Sequence, residues 1–206
     1  MSAPLARRSS QDVKAFCEYA IKTLRTARPR SLNCGFEKKP VLIFTDGCWE
    51  QGFAGIGAVL VDRADGTCYV CSGEVSERLV KAWKTSVGEF IICQIELYVV
   101  VLVRWQFQKR LHNRRSLWWV DNDAARFCLI KGLSPSVAMR GLVREFYSVD
   151  AFAPTYSWIE RVPSKANPSD APSRRCSDEI LALLGLESET PFRQPENLVD
   201  LLLAGL

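Results

Sequence analysis

Apolar positions along this chain change their period from segment to segment, and the changes predict its elements. From Ser9 to Ala27 they recur at helical spacing (Val13, Phe16, Cys17, Ala20, Ile21, Leu24), with Ser9 three residues before Asp12 as a capping pair and a Lys- and Arg-rich opposite face. Arg28 to Pro40, holding two prolines, Asn33 and Gly35, reads as a linker. Val41 to Glu50 (VLIFTDGCWE) begins with four apolar residues that run through Thr45 into Asp46 and Gly47, a buried strand that delivers one carboxylate to its C-terminal edge. Asp-Gly is also a common hairpin signal, so that segment alone leaves a plain turn open.

Ala54 to Asp62 predicts a second strand, and Ala64-Asp65-Gly66 turns the chain into a third, Thr67 to Val75, giving an antiparallel meander. Glycines at 52, 55 and 57 clear side chains from the neighbourhood of Asp46, which suits a close-approaching backbone or ligand, or a bulged strand. Glu77 to Gly88 reads as irregular, with Trp83 between Lys81 and Lys84. A buried helix follows from Ile92 to Leu111, with Glu96 near its N-terminal end, where the helix dipole favours an acid. Ser116 to Val120 is a strand ending in Asp121-Asn122-Asp123. Helices follow over Ala124 to Lys131, stopped by Gly132, and from Ser134-Pro135 through Tyr147. Thr155 to Val162 is the last strand, Asp170 to Arg174 a short helix, and Asp178 to Leu186 and Leu198 to Leu203 two more.

Charge divides the chain more sharply than its formal total of +4 suggests. Residues 1–40 carry nine Lys/Arg against three acids, and residues 176–206 one Arg against six acids. The expected organisation is a basic N-terminal helix and linker (1–39), a domain (40–175) and an acidic, apolar C-terminal helical extension (176–206). With 48% apolar residues the chain supports one good core. The start has no apolar leader segment, and Ile91 to Val103 is too short and too interrupted to span a membrane, so a cytoplasmic or nuclear setting without membrane association is expected. Eight scattered cysteines, several inside apolar runs, indicate reduced thiols. Cys68 and Cys71 form the one CxxC, but on a strand they point to opposite faces and no further ligand completes a zinc site.

The candidate chemistry is a set of four acids. They stand at the end of the first strand (Asp46), on the first core helix (Glu96), at the end of the fourth strand (Asp121) and at the start of a late helix (Asp170). In a mixed sheet these ends converge on one edge, where ligands of open α/β sheets bind. Carboxylates gathered there repel unless cations neutralise them, and oxygen-only ligation selects Mg²⁺ or Mn²⁺.

TDG at 45–47 followed by GIGAVL at 55–60, QIEL at 94–97, VDND at 120–123 and NPSDAPSR at 167–174 together resemble the ribonuclease H domain, of the kind carried by retroelement reverse transcriptases. The resemblance covers Val41 to Arg174. It implies an α/β ribonuclease H-like fold, a five-stranded mixed sheet with helices on both faces, and a two-ion hydrolysis of the RNA strand of RNA/DNA hybrids. Asp46, Glu96, Asp121 and Asp170 would be the catalytic, metal-holding acids; Asp123 is a weaker candidate for the third because it falls inside a helix. Gly47, Cys48, Trp83, Lys84, Asn122 and Asn167 would contact the substrate, Gly47 and Cys48 through backbone groups near the RNA 2′-hydroxyls.

Two features of the family are missing. The only histidine, His112, precedes Asp121, so no His stands shortly before the fourth acid, and the short connection Lys131 to Ser136 leaves no room for a basic helix. Grip on a hybrid would then fall to a tethered polymerase domain, the N-terminal helix or the Arg104 to Arg115 cluster. The competing reading is a non-catalytic ribonuclease H-like module for nucleic-acid binding or connection. An integrase or resolvase nuclease fits the GIGAVL meander and the late NPSDAPSR helix less well.

Overall fold

The computed structural model describes residues 3–26, 38–195 and 197–206, with the side chains of the first helix described from Val13 onward. Most of the expected linker lies outside these residues. The first helix, α1 (Ala3–Thr26), starts upstream of Ser9, so Ser9 and Asp12 lie within it rather than at its cap. Val13, Phe16, Ile21 and Leu24 of its apolar stripe are exposed.

Five strands form one sheet: β1 (Val41–Glu50), β2 (Phe53–Asp62), β3 (Cys68–Glu74), β4 (Arg115–Val120) and β5 (Tyr156–Arg161), in spatial order β3-β2-β1-β4-β5. β1 pairs antiparallel with β2 and parallel with β4, β2 antiparallel with β3, and β4 parallel with β5. The five-stranded mixed sheet is the one expected. Its register matters for the chemistry. The last pair between β1 and β4 is Thr45 with Val120, so Asp46 and Asp121 are each the next residue past that pair.

The remaining helices are α2 (Glu77–Val87), α3 (Ile92–Gln106), α4 (Gln108–Leu111), α5 (Asp123–Lys131), α6 (Val137–Ser148), α7 (Asp170–Ser173), α8 (Asp178–Leu184) and α9 (Leu198–Leu203). α3 is apolar on every side because it is enclosed on every side, by β1, β2, α5 and α6. Ile95, Leu97, Val99 and Val101 are all fully buried there. α5 begins at an Asn122 side chain that accepts from the Ala125 N–H and ends at Gly132, whose φ of 65° suits glycine.

Side chains alternate across β1. Gly47 faces α3, where an added Cβ would stand 2.8 Å from Ile95 and 2.9 Å from the Glu96 nitrogen. The opposite face, on β1 and β2, is met by α7. A Cβ at Gly57 would come within 2.6 Å of the Ser169 carbonyl oxygen, and one at Gly55 would strike the Ser173 carbonyl. The glycines at 55 and 57 therefore admit a backbone, whereas Gly52, with φ of 86° and open space around it, serves the β1–β2 turn. Farther along the α7 face the sheet is open: Phe44 stacks on Trp119, both half-buried, and Trp158 is exposed.

Several local expectations differ from the structure. Glu77 to Val87 is a helix, not an irregular segment; its fully buried residues are Leu79 and Trp83, one turn apart, with Val80 partly buried beside them, too narrow a stripe to stand out among Arg78, Lys81 and Lys84. β1 continues past Asp46 to Glu50, because residues 45–50 keep pairing with 53–58. The C-terminal segment packs on the domain. The Thr190 N–H donates to the Val70 carbonyl beside β3, and Leu198 and Leu202 of α9 are buried in the shared core near α2 and α6.

Candidate metal centre

Register and helix packing assemble the site. Past Thr45 no strand among the described residues lies against the β4 side of β1, and there carboxyl oxygens of Asp46, Glu96 and Asp121 lie within 4.8 Å of one another. Asp46 and Asp121 arrive as neighbouring strand ends. Glu96 arrives because Gly47 lets α3 press onto β1, and the Gly47 N–H then donates to its carboxylate.

Asp46 and Glu96 are each only 4% exposed. Burial raises the Asp46 pKa to about 6; the charges of Asp121 and Asp170 add to the rise, while a hydrogen bond from Ser173 and the charge of Arg174 oppose it. Glu96 is raised well above the ordinary carboxylate range, chiefly by burial and then by the charges of Asp46 and Asp121. Both are acids held where their own ionisation is costly. Glu96 Oε2 and Asp121 Oδ1 are buried with no donor from any other described residue, so the two carboxyls can share a proton only with each other. Orphaned anionic oxygens around a small gap suit a hard divalent cation, which would supply the missing partner and the missing charge together. The three residues can hold such an ion.

Asp170 stands outside that compact trio. It opens α7 beside the site, near enough for its charge to act on Asp46, and its carboxylate accepts from Arg174 Nε at 3.0 Å. Arg174 also donates to Glu50 at the end of β1, so one guanidinium ties the late helix to the first strand. Asp123 is exposed on α5 and pairs with Arg126 at 3.0 Å, away from the trio.

The expected substrate contacts divide. Gly47 and Cys48 lie on the stretch of β1 that has no β4 neighbour, which leaves that edge of their backbone open. The Cys48 side chain is buried, its thiol donating to the Ser173 carbonyl at 3.1 Å, and burial raises its pKa. Lys84 pairs with Glu89 at 2.6 Å and lies 5.2 Å from the Trp49 ring centroid, lining an open groove with Lys81, Gly52 and Glu74. Asn122 caps α5 and its amide nitrogen lies 3.7 Å from Cys93 Sγ.

Two residues expected to touch substrate face inward. Trp83 is 1% exposed and packs edge-on against Tyr98 at 5.8 Å, so it has no surface to offer. Asn167 is buried, its amide nitrogen donating to the Thr45 carbonyl at 3.0 Å and toward Asp46 Oδ1 at 3.4 Å.

Three arginines of the Arg104 to Arg115 cluster are engaged inside the fold, while Lys109 is exposed. Arg104 is buried against Asp150, and Arg110 and Arg114 grip Asp62 at 2.7 and 2.5 Å. Burial of Asp62 opposes those bonds, yet their net effect holds its pKa below the ordinary value. Sequence reasoning passed over Ser173, whose hydroxyl donates to Asp46 Oδ2 at 2.5 Å. The available signal was a small hydroxyl residue three positions after Asp170.

No protein-family model matches this chain, and no curated protein does. Among solved structures, RNase H1 from the halophilic archaeon Halobacterium salinarum NRC-1 is similar at 17% identity, over 68% of this chain and 99% of its own, with a TM-score of 0.47. The N-terminal RNase H domain of Rv2228c from Mycobacterium tuberculosis, solved as a maltose binding protein fusion, is similar at 18% identity over 70% and 97%, with a TM-score of 0.38. LC11-RNase H1, solved in complex with an RNA/DNA hybrid, is similar at 14% identity over 68% and 99%, with a TM-score of 0.44. The five-stranded mixed sheet, with α3 enclosed on one face and α7 on the other, has the α/β architecture that the resemblance to the ribonuclease H domain implies.

Proposed function

We propose that this protein is a metal-dependent endoribonuclease that hydrolyses the RNA strand of RNA/DNA hybrids, derived from or part of a retroelement reverse transcriptase. The observation that carries the reading is the convergence of Asp46, Glu96 and Asp121 within 4.8 Å, two of them buried. A domain needing only to fold or to bind polyanions gains nothing from buried acids with orphaned oxygens, each of which lowers stability. For that reason the enzyme is preferred to a non-catalytic module.

Asp46, Glu96 and Asp121, with Asp170 at the rim, would hold two ions, Mg²⁺ or Mn²⁺. Bound there, the ions supply an activated water and neutralise the oxygen that leaves the phosphodiester. The chain's own contribution is to fix the carboxylates before substrate arrives, α3 and α7 being pressed onto β1 and β2 by glycine-mediated contact. At the open edge of β1, beside Cys48, the Gly47 carbonyl would meet the RNA strand, its N–H being taken by Glu96, and a 2′-hydroxyl there would separate RNA from DNA. Lys84 and Asn122 are the side chains best placed to meet the rest of the duplex, and a polymerase domain is the expected tethered partner.

The test is a panel of end-labelled substrates at low salt with Mg²⁺ or Mn²⁺: hybrid, single-stranded RNA, RNA duplex and DNA duplex. The proposal expects cleavage of the hybrid's RNA strand alone, leaving 3′-hydroxyl and 5′-phosphate ends. Binding to hybrid without cleavage under either ion would overturn it in favour of the module.

A further inference from the structure

Asp46 is held by donors on both of its oxygens, and neither donor was among the acids the motifs single out. Ser173 Oγ lies 2.5 Å from Oδ2, and Asn167 Nδ2 lies 3.4 Å from Oδ1. The orientation of the Asn167 amide is fixed by its other end: Oδ1 accepts from the Ser169 hydroxyl at 2.6 Å and from the Ser169 N–H at 3.3 Å, so the NH₂ group must face Thr45 and Asp46. Ser173 also has the Asp170 carbonyl at 2.8 Å, but a hydroxyl has a single proton and the closer, charged acceptor takes the larger share.

We propose that Ser173 and Asn167 are positioning residues that clamp the Asp46 carboxylate in a metal-ready orientation. The proposal rests on the metal-dependent reading above. An ionised carboxylate offers about two lone-pair directions on each oxygen. The clamp uses one on each oxygen and leaves one on each with which Asp46 would hold a cation. The same hydrogen bonds stabilise the charged form of Asp46 in a place where burial and neighbouring acids disfavour it.

The arrangement depends on the close seat of α7. Ser173 reaches Asp46 only because Gly55 and Gly57 let the Ser169–Ser173 backbone lie directly on β2, and the Cys48 thiol fastens it there through the Ser173 carbonyl. The spacing in NPSDAPSR follows from this. Asn167 lies before α7, Ser173 at its end, and the two approach Asp46 from either side of the segment that also presents Asp170.

The test is Mn²⁺ binding by calorimetry on the full chain, in the absence of nucleic acid, for wild type, Ser173→Ala and Ser173→Thr, with kcat and KM on hybrid measured alongside. Ser173→Ala is expected to bind Mn²⁺ about tenfold more weakly, the loss of about one charge-assisted hydrogen bond. Its kcat should fall while KM for hybrid stays at the wild-type value, and Ser173→Thr, which keeps the hydroxyl, should restore both affinity and kcat. If Ser173→Ala does not fold, Ser173→Cys, which keeps a side chain of similar size with a much weaker donor, carries the same expectation. Wild-type Mn²⁺ affinity in the folded Ala or Cys variant would overturn the clamp. A wild type that binds Mn²⁺ but cleaves nothing would remove the nuclease reading while the calorimetric comparison still decides the clamp; a wild type that binds no Mn²⁺ would overturn both.

Discussion

Asp46 concentrates the conflict that makes this site readable. Its folded pKa, about 6, lies above its ordinary value of 3.8, so the folded chain holds a proton that the unfolded chain releases in the interval between them. Stability from this group is therefore full below about pH 4 and declines as pH rises through 6, by about 3 kcal/mol in all. Glu96 acts in the same direction. The expected outcome is that the metal-free protein loses stability between about pH 4 and 6.5 and that Asp46→Asn flattens much of that fall, measured by urea unfolding at each pH. Adding Mn²⁺ at pH 7.5 should raise the stability of wild type far more than that of the variant. Equal pH slopes for the two proteins would mean that Asp46 ionises freely and the site is not strained.

At the scale of elements, glycine decides the geometry. Gly57→Ala places a methyl group against the Ser169–Ser173 backbone, which cannot rotate away as a side chain could, so α7 must lift from β2. A cost of about 1–3 kcal/mol is expected from such overpacking, with weaker Mn²⁺ binding as α7 carries Ser173 and Asp170 away. Chemical denaturation and calorimetry on the one variant check both. In α3, Leu97→Ala should cost about 2–5 kcal/mol, since the residue is fully enclosed and its removal leaves a cavity in the core.

The elements also show what the sequence made legible and where legibility stopped. β1, β2, β3, β4 and β5 were readable because their apolar runs are bounded by turn residues, and α3 because no strand of a small sheet runs that long. Asp46 and Asp121 stood out in the sequence as the first acids after apolar strands and Glu96 as the one acid inside an apolar helix, and the structure brings these three carboxylates within 4.8 Å of one another. α2 was not readable, since its fully buried stripe is two residues wide. The inward turn of Asn167 and Trp83 was not either, because polarity and aromaticity do not tell which way a side chain points. Nor did the basic residues from Arg104 to Arg115 reveal that Asp62 and Asp150, far off in the chain, were their partners.

For the molecule as a whole, charge and core are arranged differently from their order along the sequence. Asp62, buried beneath Arg110 and Arg114, links the β2–β3 end of the sheet to the segment before β4. Asp62→Ala should cost about 3–5 kcal/mol, chiefly by taking the buried carboxylate from Arg114, since Arg110 keeps Asp65 at 2.8 Å, and should be visible as a large fall in the denaturation midpoint. Hybrid binding should lose little in that variant, because these arginines belong to the fold and not to a nucleic-acid surface. The acidic C-terminal segment joins the same core through Leu198 and Leu202, so removal of residues 196–206 exposes the underside of α2 and α6 and lowers the melting temperature.

The central claim is that the Asp46, Glu96 and Asp121 cluster holds metal for hydrolysis of the RNA strand of a hybrid. The most direct measurement compares wild type with Asp46→Asn on a labelled RNA/DNA hybrid with Mn²⁺ at low salt. The expected outcome is RNA-strand cleavage by wild type, a loss of about a thousandfold or more in the variant, and hybrid affinity unchanged between them. Cleavage by Asp46→Asn at the wild-type rate, or a wild type that binds the hybrid and leaves its RNA intact, would contradict it.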